Sequence, residues 1–189
     1  MRKSFVIVFI LLLAAGFATL WVFIEDLIIE HTHPIEYSEF VEKYAEEYAV
    51  PEEIVYAVIH TESKFESDAI SQKGAIGLMQ ITPDTFEWLR YKTGESDMPA
   101  SSDLLYNPEI NIKYGTYYLS ILYTEFGVWE TVYAAYNAGR TRVNEWLDNP
   151  QNNDNGKLVD IPYKETYEYV EKVAKAVDIY KDTYFEVKN

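Results

Sequence analysis

The sequence predicts a mainly α protein, in which one compact helical domain follows a helix that spans a membrane. Three observations carry this. Residues Phe5 to Ile24 form an uncharged run of 20 residues. Beyond it, apolar residues recur at helical spacing, between start signals built on Pro, Ser or Thr and stop signals built on Gly. No stretch alternates apolar and polar residues as a half-buried strand does, and no internal repeat is present.

At about 1.5 Å of rise per residue, the apolar run covers about 30 Å, the hydrocarbon thickness of a bilayer. Arg2 and Lys3 precede it, and Glu25, Asp26 and Glu30 follow it. Positive before and negative after predicts residues 1–4 in the cytoplasm, 5–24 in the membrane and the remainder outside. A cleavable signal peptide is the alternative. Gly16 and Ala18 offer a weak cleavage site, but Leu20-Trp21-Val22-Phe23-Ile24 carries the apolar run past it. Residues 25–36 read as a short linker, and about 37–185 as the folded domain.

Within that domain Ser38 is placed to cap a helix carrying Phe40, Val41, Tyr44, Ala45 and Tyr48 on one face. Pro51 suits the first position of a helix running to about Glu62, with Ile54, Val55, Val58 and Ile59 as its buried stripe. A small hairpin is expected somewhere in 66–82. Thr82-Pro83 opens a helix stopped at Gly94, and Asn107-Pro108 opens a longer one ending near Gly127. Trp129 to Ala138 is a short apolar helix closed by Gly139, and Thr141 is placed to cap another through Trp146. Residues 148–160 are polar and turn-rich, a surface loop. Pro162 begins the last helix, with Tyr169, Val170, Val173, Ala174 and Val177 facing inward.

The chain's 189 residues suit one domain with an appendage. It has no cysteine, so a disulfide, a thiolate nucleophile, a zinc–thiolate site and a lipoprotein anchor are excluded. Its 16 basic against 31 acidic residues give a net charge of -15, the wrong sign for a nucleic-acid partner. Its 17 Tyr, 9 Phe and 4 Trp suit either a core with wet hydroxyls or the wall of a sugar groove.

Four segments invite a chemical reading. Ile59-His60-Thr61-Glu62-Ser63-Lys64-Phe65 puts a carboxylate at the negative end of an apolar helix. With partial burial, that position favours a protonated carboxyl, as a general acid requires; an ordinary solvated Glu is the plain alternative. In Gly74-Ala75-Ile76-Gly77-Leu78-Met79-Gln80, glycines permit close backbone approach and Gln80 can donate and accept; a structural turn is the alternative. Ala134-Ala135-Tyr136-Asn137-Ala138-Gly139 ends a buried helix with a phenol and an amide beside a glycine cap, placed to face a groove; a C-cap with a core Tyr is the alternative. In Glu165-Thr166-Tyr167-Glu168-Tyr169-Val170, Glu165 and Tyr169 share a helix face.

Taken in order, these segments resemble the soluble lytic murein transglycosylase family, the SLT domain with its goose-lysozyme-like fold. The family signatures Glu-Ser-x-Phe, Gly-Leu-Met-Gln, Ala-Tyr-Asn-Ala-Gly and Glu-Thr-x-x-Tyr-Val occur here as Glu62-Ser63-Lys64-Phe65, Gly77-Leu78-Met79-Gln80, Ala135-Tyr136-Asn137-Ala138-Gly139 and Glu165-Thr166-Tyr167-Glu168-Tyr169-Val170. The resemblance implies a lysozyme-like helical domain with Glu62 as the catalytic acid and base. It places Ser71 where a family serine contacts the catalytic carboxyl. Gln80, Tyr136 and Asn137 match groove or Glu-supporting positions, Glu165 a sugar-binding one, and Tyr169 one that closes the site. Where the family often has Asp-Pro or Asn-Pro after the Phe, this chain has Glu66-Ser67, which changes the local loop.

The implied reaction cleaves the β-1,4 bond between N-acetylmuramic acid and N-acetylglucosamine in peptidoglycan and closes a 1,6-anhydro ring. It calls for no metal or organic cofactor, and the implied partners are glycan strands and the membrane, with the chain a monomer. A hydrolase of the same bond is the near alternative and needs a second carboxylate, for which Asp68 and Asp84 are candidates. A non-catalytic wall-binding module and an enzyme docked on a secretion machine are the others. His31 and His33 lack an apparent third ligand, so no metal site is expected there. His60 reads as structural.

Overall fold

The computed structural model describes residues 2–95 and 101–186. The chain divides into two compact units, Met1–Ile35 and Glu36–Asn189. The first is helix α1 (Arg2–Thr32). Within it Leu11–Thr32 is long and apolar enough to cross a membrane. Its described large apolar side chains, Phe17 and Leu12 among them, are exposed apart from a half-buried Ile29. The stretch expected as linker is helical as far as Thr32, because Leu27, Ile28 and Ile29 extend the apolar run past Glu25 and Asp26.

The described residues of the second unit are mainly helical: α2 (Ser38–Tyr48), α3 (Glu52–Glu62), α4 (Pro83–Thr93), a 3-10 turn (Ser102–Tyr106), α5 (Pro108–Phe126), α6 (Trp129–Ala138), α7 (Arg140–Leu147) and α8 (Lys164–Tyr180), which ends in a π turn (Lys181–Phe185). The Pro-led starts work as the sequence predicts. Thr82 Oγ1 accepts the Thr85 N–H at 3.2 Å and Asn107 Oδ1 the Ile110 N–H at 3.2 Å, each ahead of a proline that has no N–H to satisfy. Gly94 and Gly127 end their helices in the left-handed region, at φ 74° and 68°.

Other starts differ from expectation. Pro51 lies outside its helix, with ψ 137°, and its carbonyl accepts the Ile54 N–H at 3.1 Å, so α3 begins at Glu52. Tyr37, in the left-handed region at φ 56°, takes the cap position assigned to Ser38. Gly139 takes the one assigned to Thr141, and an extended Tyr163 delays the last helix to Lys164. The surface loop holds a short antiparallel ladder, β1 (Asn153–Asp154) with β2 (Lys157–Leu158). Asn155 and Gly156 turn it with φ 54° and 91°, the Asn-Gly pairing that suits a two-residue hairpin.

Helix α3 is the axis of the domain. Every residue from Ile54 to Ile59 is buried, so the helix is covered on all sides, against α8 above all. Helix α6 packs on both α5 and α8. Each buried aliphatic of this core contributes about 1.5–3 kcal/mol. The expected hairpin appears as a compact loop in which Ile76 bridges to Ile70 and to Ile81.

Candidate active site

Burying α3 brings its final residue, Glu62, out at the edge of the core, half-buried against α8. From α8, Tyr169 donates its phenolic proton to Glu62 Oε1 at 2.7 Å. Among the described residues no cation pairs with Glu62. Burial pushes the Glu62 carboxyl up to about 7, against the smaller downward pull of the Tyr169 bond. Burial first, and then the charge of Glu62, raise the phenols of Tyr136 and Tyr169 well above the usual range, so both stay protonated. The arrangement can hold a proton near neutrality and release it.

The loop after α3 is bolted to the helices around it. Ser63, buried, donates to Leu78 O at 2.8 Å, tying the end of α3 to the far side of the loop. Asn111 of α5, also buried, accepts the Met79 N–H at 2.8 Å and donates to Ile76 O and Leu105 O at 2.9 and 2.7 Å, which saturates its amide. Gly77 lies against that amide at φ 78°; a Cβ there would strike Asn111 Nδ2 and Leu105 O. Tyr136 donates to Met79 O at 2.8 Å. Left-handed backbone at the non-glycine residues Lys64, Phe65 and Gln80 is thereby concentrated around the site.

A concavity of about 220 Å³ lies alongside, lined by Gln80, Thr82, Tyr118, Tyr136 and Asn137 among others. It shares Thr85, Tyr118, Ala138 and Gly139 with a larger trough of about 590 Å³ that reaches Trp88, Arg142 and Glu145. Glu62 lines neither; the smaller one adjoins it at Tyr136, whose phenol feels its charge. Trp88 meets Tyr118 edge-on at 6.1 Å, and Tyr118 meets Tyr136 at 5.3 Å, so aromatic rings follow the groove. Such faces suit the C–H surfaces of sugars.

The predicted residues divide into two groups. Glu62, Tyr169, Tyr136, Gln80 and Asn137 gather at the groove and its inner end. Tyr136, however, serves Met79 rather than Glu62 by hydrogen bond. Gln80 spends both amide protons on Ala69 O and Gly77 O, at 3.1 and 3.0 Å, so only its oxygen is left to a ligand. Asn137 Oδ1 accepts from Thr166 at 2.9 Å, which leaves its NH₂ as donor. Ser71 does not bond Glu62; its hydroxyl accepts the Ala75 N–H at 3.0 Å and closes its own turn. Glu165 is exposed and pairs with the equally exposed Lys73 at 3.4 Å. His60 packs edge-on to Tyr180 at 6.3 Å, a structural place.

Sequence reasoning missed Asn111, and it quoted Ser63 within the Glu-Ser-x-Phe signature without giving it a role. Asn111 had a readable signal, a polar residue on the same α5 face as Gly115, Leu119 and Leu122. For Ser63 the signature marked the position but not its bond to Leu78 O.

The transglycosylase SLT domain profile matches residues 39–159. The soluble lytic murein transglycosylase of Escherichia coli K12 is 35% identical over 159 residues, which are 80% of this chain and 24% of that protein. A membrane-bound lytic murein transglycosylase C from Yersinia pestis is 42% identical over 88 residues, 46% of this chain and 24% of that protein. The 70 kDa soluble lytic transglycosylase of E. coli superposes with a TM-score of 0.74 at 31% identity, covering 84% of this chain and 26% of that one. An inactive glutamate-to-glutamine form of the Pseudomonas aeruginosa lytic transglycosylase Slt gives 0.67 at 31% identity, over 79% of this chain and 24% of that one. The chain thus spans about a quarter of the length of the curated relatives it matches. With the helical fold, the four motifs and the profile in agreement, this chain belongs to the transglycosylase SLT domain family.

Proposed function

We propose that the chain is a membrane-anchored lytic transglycosylase that cleaves the glycan strands of peptidoglycan outside the cytoplasm, with Glu62 as its one acid and base. The observation that carries this is a half-buried carboxyl, free of any cation partner among the described residues, bonded to one phenol and raised to about 7. The names of the relatives support the substrate, and the inactive glutamate-to-glutamine relative supports an essential glutamate. The apolar helix, the charges flanking it and the membrane-bound relative support a single span with the domain outside.

Glu62, protonated, gives its proton to the oxygen between the muramoyl and glucosaminyl residues as that bond breaks. The muramoyl acetamide shields the positive charge developing at C1. Glu62, now a carboxylate, takes the proton of the same sugar's C6 hydroxyl while that oxygen bonds to C1, closing the 1,6-anhydro ring. An internal nucleophile needs no positioned water. Tyr169 fixes the carboxyl's orientation and stabilises its charged form. Gln80 Oε1 and Asn137 Nδ2 give the groove one acceptor and one donor for sugar hydroxyls and acetamides.

The test uses the full chain in detergent micelles on purified sacculi, with products read by mass spectrometry. Wild type releases fragments one water lighter than hydrolysed ends, and Glu62→Gln cuts the rate by about a thousandfold. Hydrolysed ends would convert the assignment to a lysozyme. Undiminished release by the variant would remove Glu62 from the chemistry.

A further inference from the structure

The larger trough has a charge pattern that the cleavage chemistry does not use. The chain is strongly acidic, at -15, yet it must hold a polymer that bears carboxylates of its own. It has four arginines. Arg2 belongs to the anchor helix and Arg90 is buried; the other two, Arg140 and Arg142, both line this trough. Their side chains are 47% and 48% exposed.

Both guanidinium groups are held by one edge. Arg140 Nε contacts Glu125 Oε2 at 2.9 Å, and Arg142 Nη1 donates to Glu145 Oε2 at 3.0 Å. Arg142 also lies 5.8 Å from the Tyr163 ring centroid, over its face. A guanidinium carries five N–H donors in a fixed plane, and these contacts occupy few of them. The glutamates therefore orient the arginines without exhausting them, and a planar carboxylate can take the remaining fork. Trp88 and Tyr118, which also line the trough, supply apolar surface, and the acids Asp84 and Glu145 share its lining.

We infer that the trough is a subsite for a carboxylate-bearing part of the glycan strand, with Arg140 and Arg142 as its specificity-determining residues. The inference rests on the proposed substrate. Where a stem is attached, its amide bond occupies the lactyl carboxyl and the carboxylate is the stem's own; where the stem has been removed, it is the lactyl group's. Sugar rings lie on Trp88 and Tyr118 while the acid meets the arginines.

The test measures binding rather than turnover, so it stands apart from the catalytic assignment. Fluorescently labelled strands are titrated against the full-length Glu62→Gln chain in micelles. Three strands are compared: native, native with all carboxyls amidated, and stem-free after amidase treatment. Amidation weakens binding about tenfold. Arg140→Gln with Arg142→Gln weakens native-strand binding by the same factor and makes amidation harmless. The Arg→Lys pair keeps charge and loses only part of the affinity. Stem-free strands carry a free lactyl carboxylate in the stem's place: binding like native strands supports a subsite that takes either acid, and binding like amidated strands supports one that takes the stem's. Equal binding of native and amidated strands overturns the inference without any variant, and so does an additive loss from the two changes. Should the Gln pair not fold, the amidation and Lys arms decide. An unbound native strand would tell instead against the proposed substrate.

Discussion

Glu62 and Glu95 occupy matching places and behave in opposite ways. Glu62 is the last residue of α3, and Glu95 follows the glycine that ends α4. Each accepts a phenolic proton at close range, from Tyr169 at 2.7 Å and from Tyr114 at 2.6 Å. Yet the Glu95 carboxyl lies below the usual range, chiefly because Lys113 donates to it at 2.7 Å and then because of Tyr114. Glu62 has the phenol without the lysine, and burial lifts it to about 7. A tyrosine bond alone does not decide a carboxyl's acidity; a cation and access to water do.

The contrast can be broken at both ends. The largest effect concerns stability. Because the native state holds the Glu62 proton more tightly than the unfolded chain, whose value lies near 4.5, stability falls as pH rises from there through about 7. Glu62→Gln removes that loss, so the variant is the more stable at pH 8, by on the order of 2 kcal/mol, and the gap closes by pH 4. Chemical denaturation at the two pH values measures it, and a gap independent of pH would deny the raised pKa of Glu62.

Tyr169→Phe comes next. The Tyr169 bond lowers the acidity midpoint of Glu62, so its removal moves the alkaline limb of the pH–rate profile upward and costs about tenfold in rate. An unmoved limb would mean that the phenol does not report to Glu62 in the working enzyme. The smallest effect is at Glu95. Its carboxyl is lowered, so Glu95→Gln destabilises above the carboxyl range and not below it, the reverse slope to Glu62. Since that side chain is 39% exposed, screening holds the loss to about 0.5 kcal/mol, read from melts at pH 7 and pH 3.

The helices and their starts at Thr82-Pro83 and Asn107-Pro108 were legible because caps and prolines act locally. So was Glu62, through its place at the end of an apolar helix. The partner of Glu62 was harder to name, since Tyr169 lies 107 residues away and reaches it only through the packing of α8 on α3. For the same reason the partners of Ser71 and Tyr136, Ala75 N–H and Met79 O, could not be read from their own segments. The Asn155-Gly156 hairpin was visible in principle and was passed over inside a polar stretch.

Met79 belongs to no helix, yet α5 holds its N–H through Asn111, α6 holds its carbonyl through Tyr136, and its side chain fills the space left by Gly115. Ser63 holds the preceding carbonyl. Opening this short stretch means parting three helices at once. Its amide should therefore exchange with deuterated water only when the entire domain comes apart, a loop by contour that keeps the clock of the core.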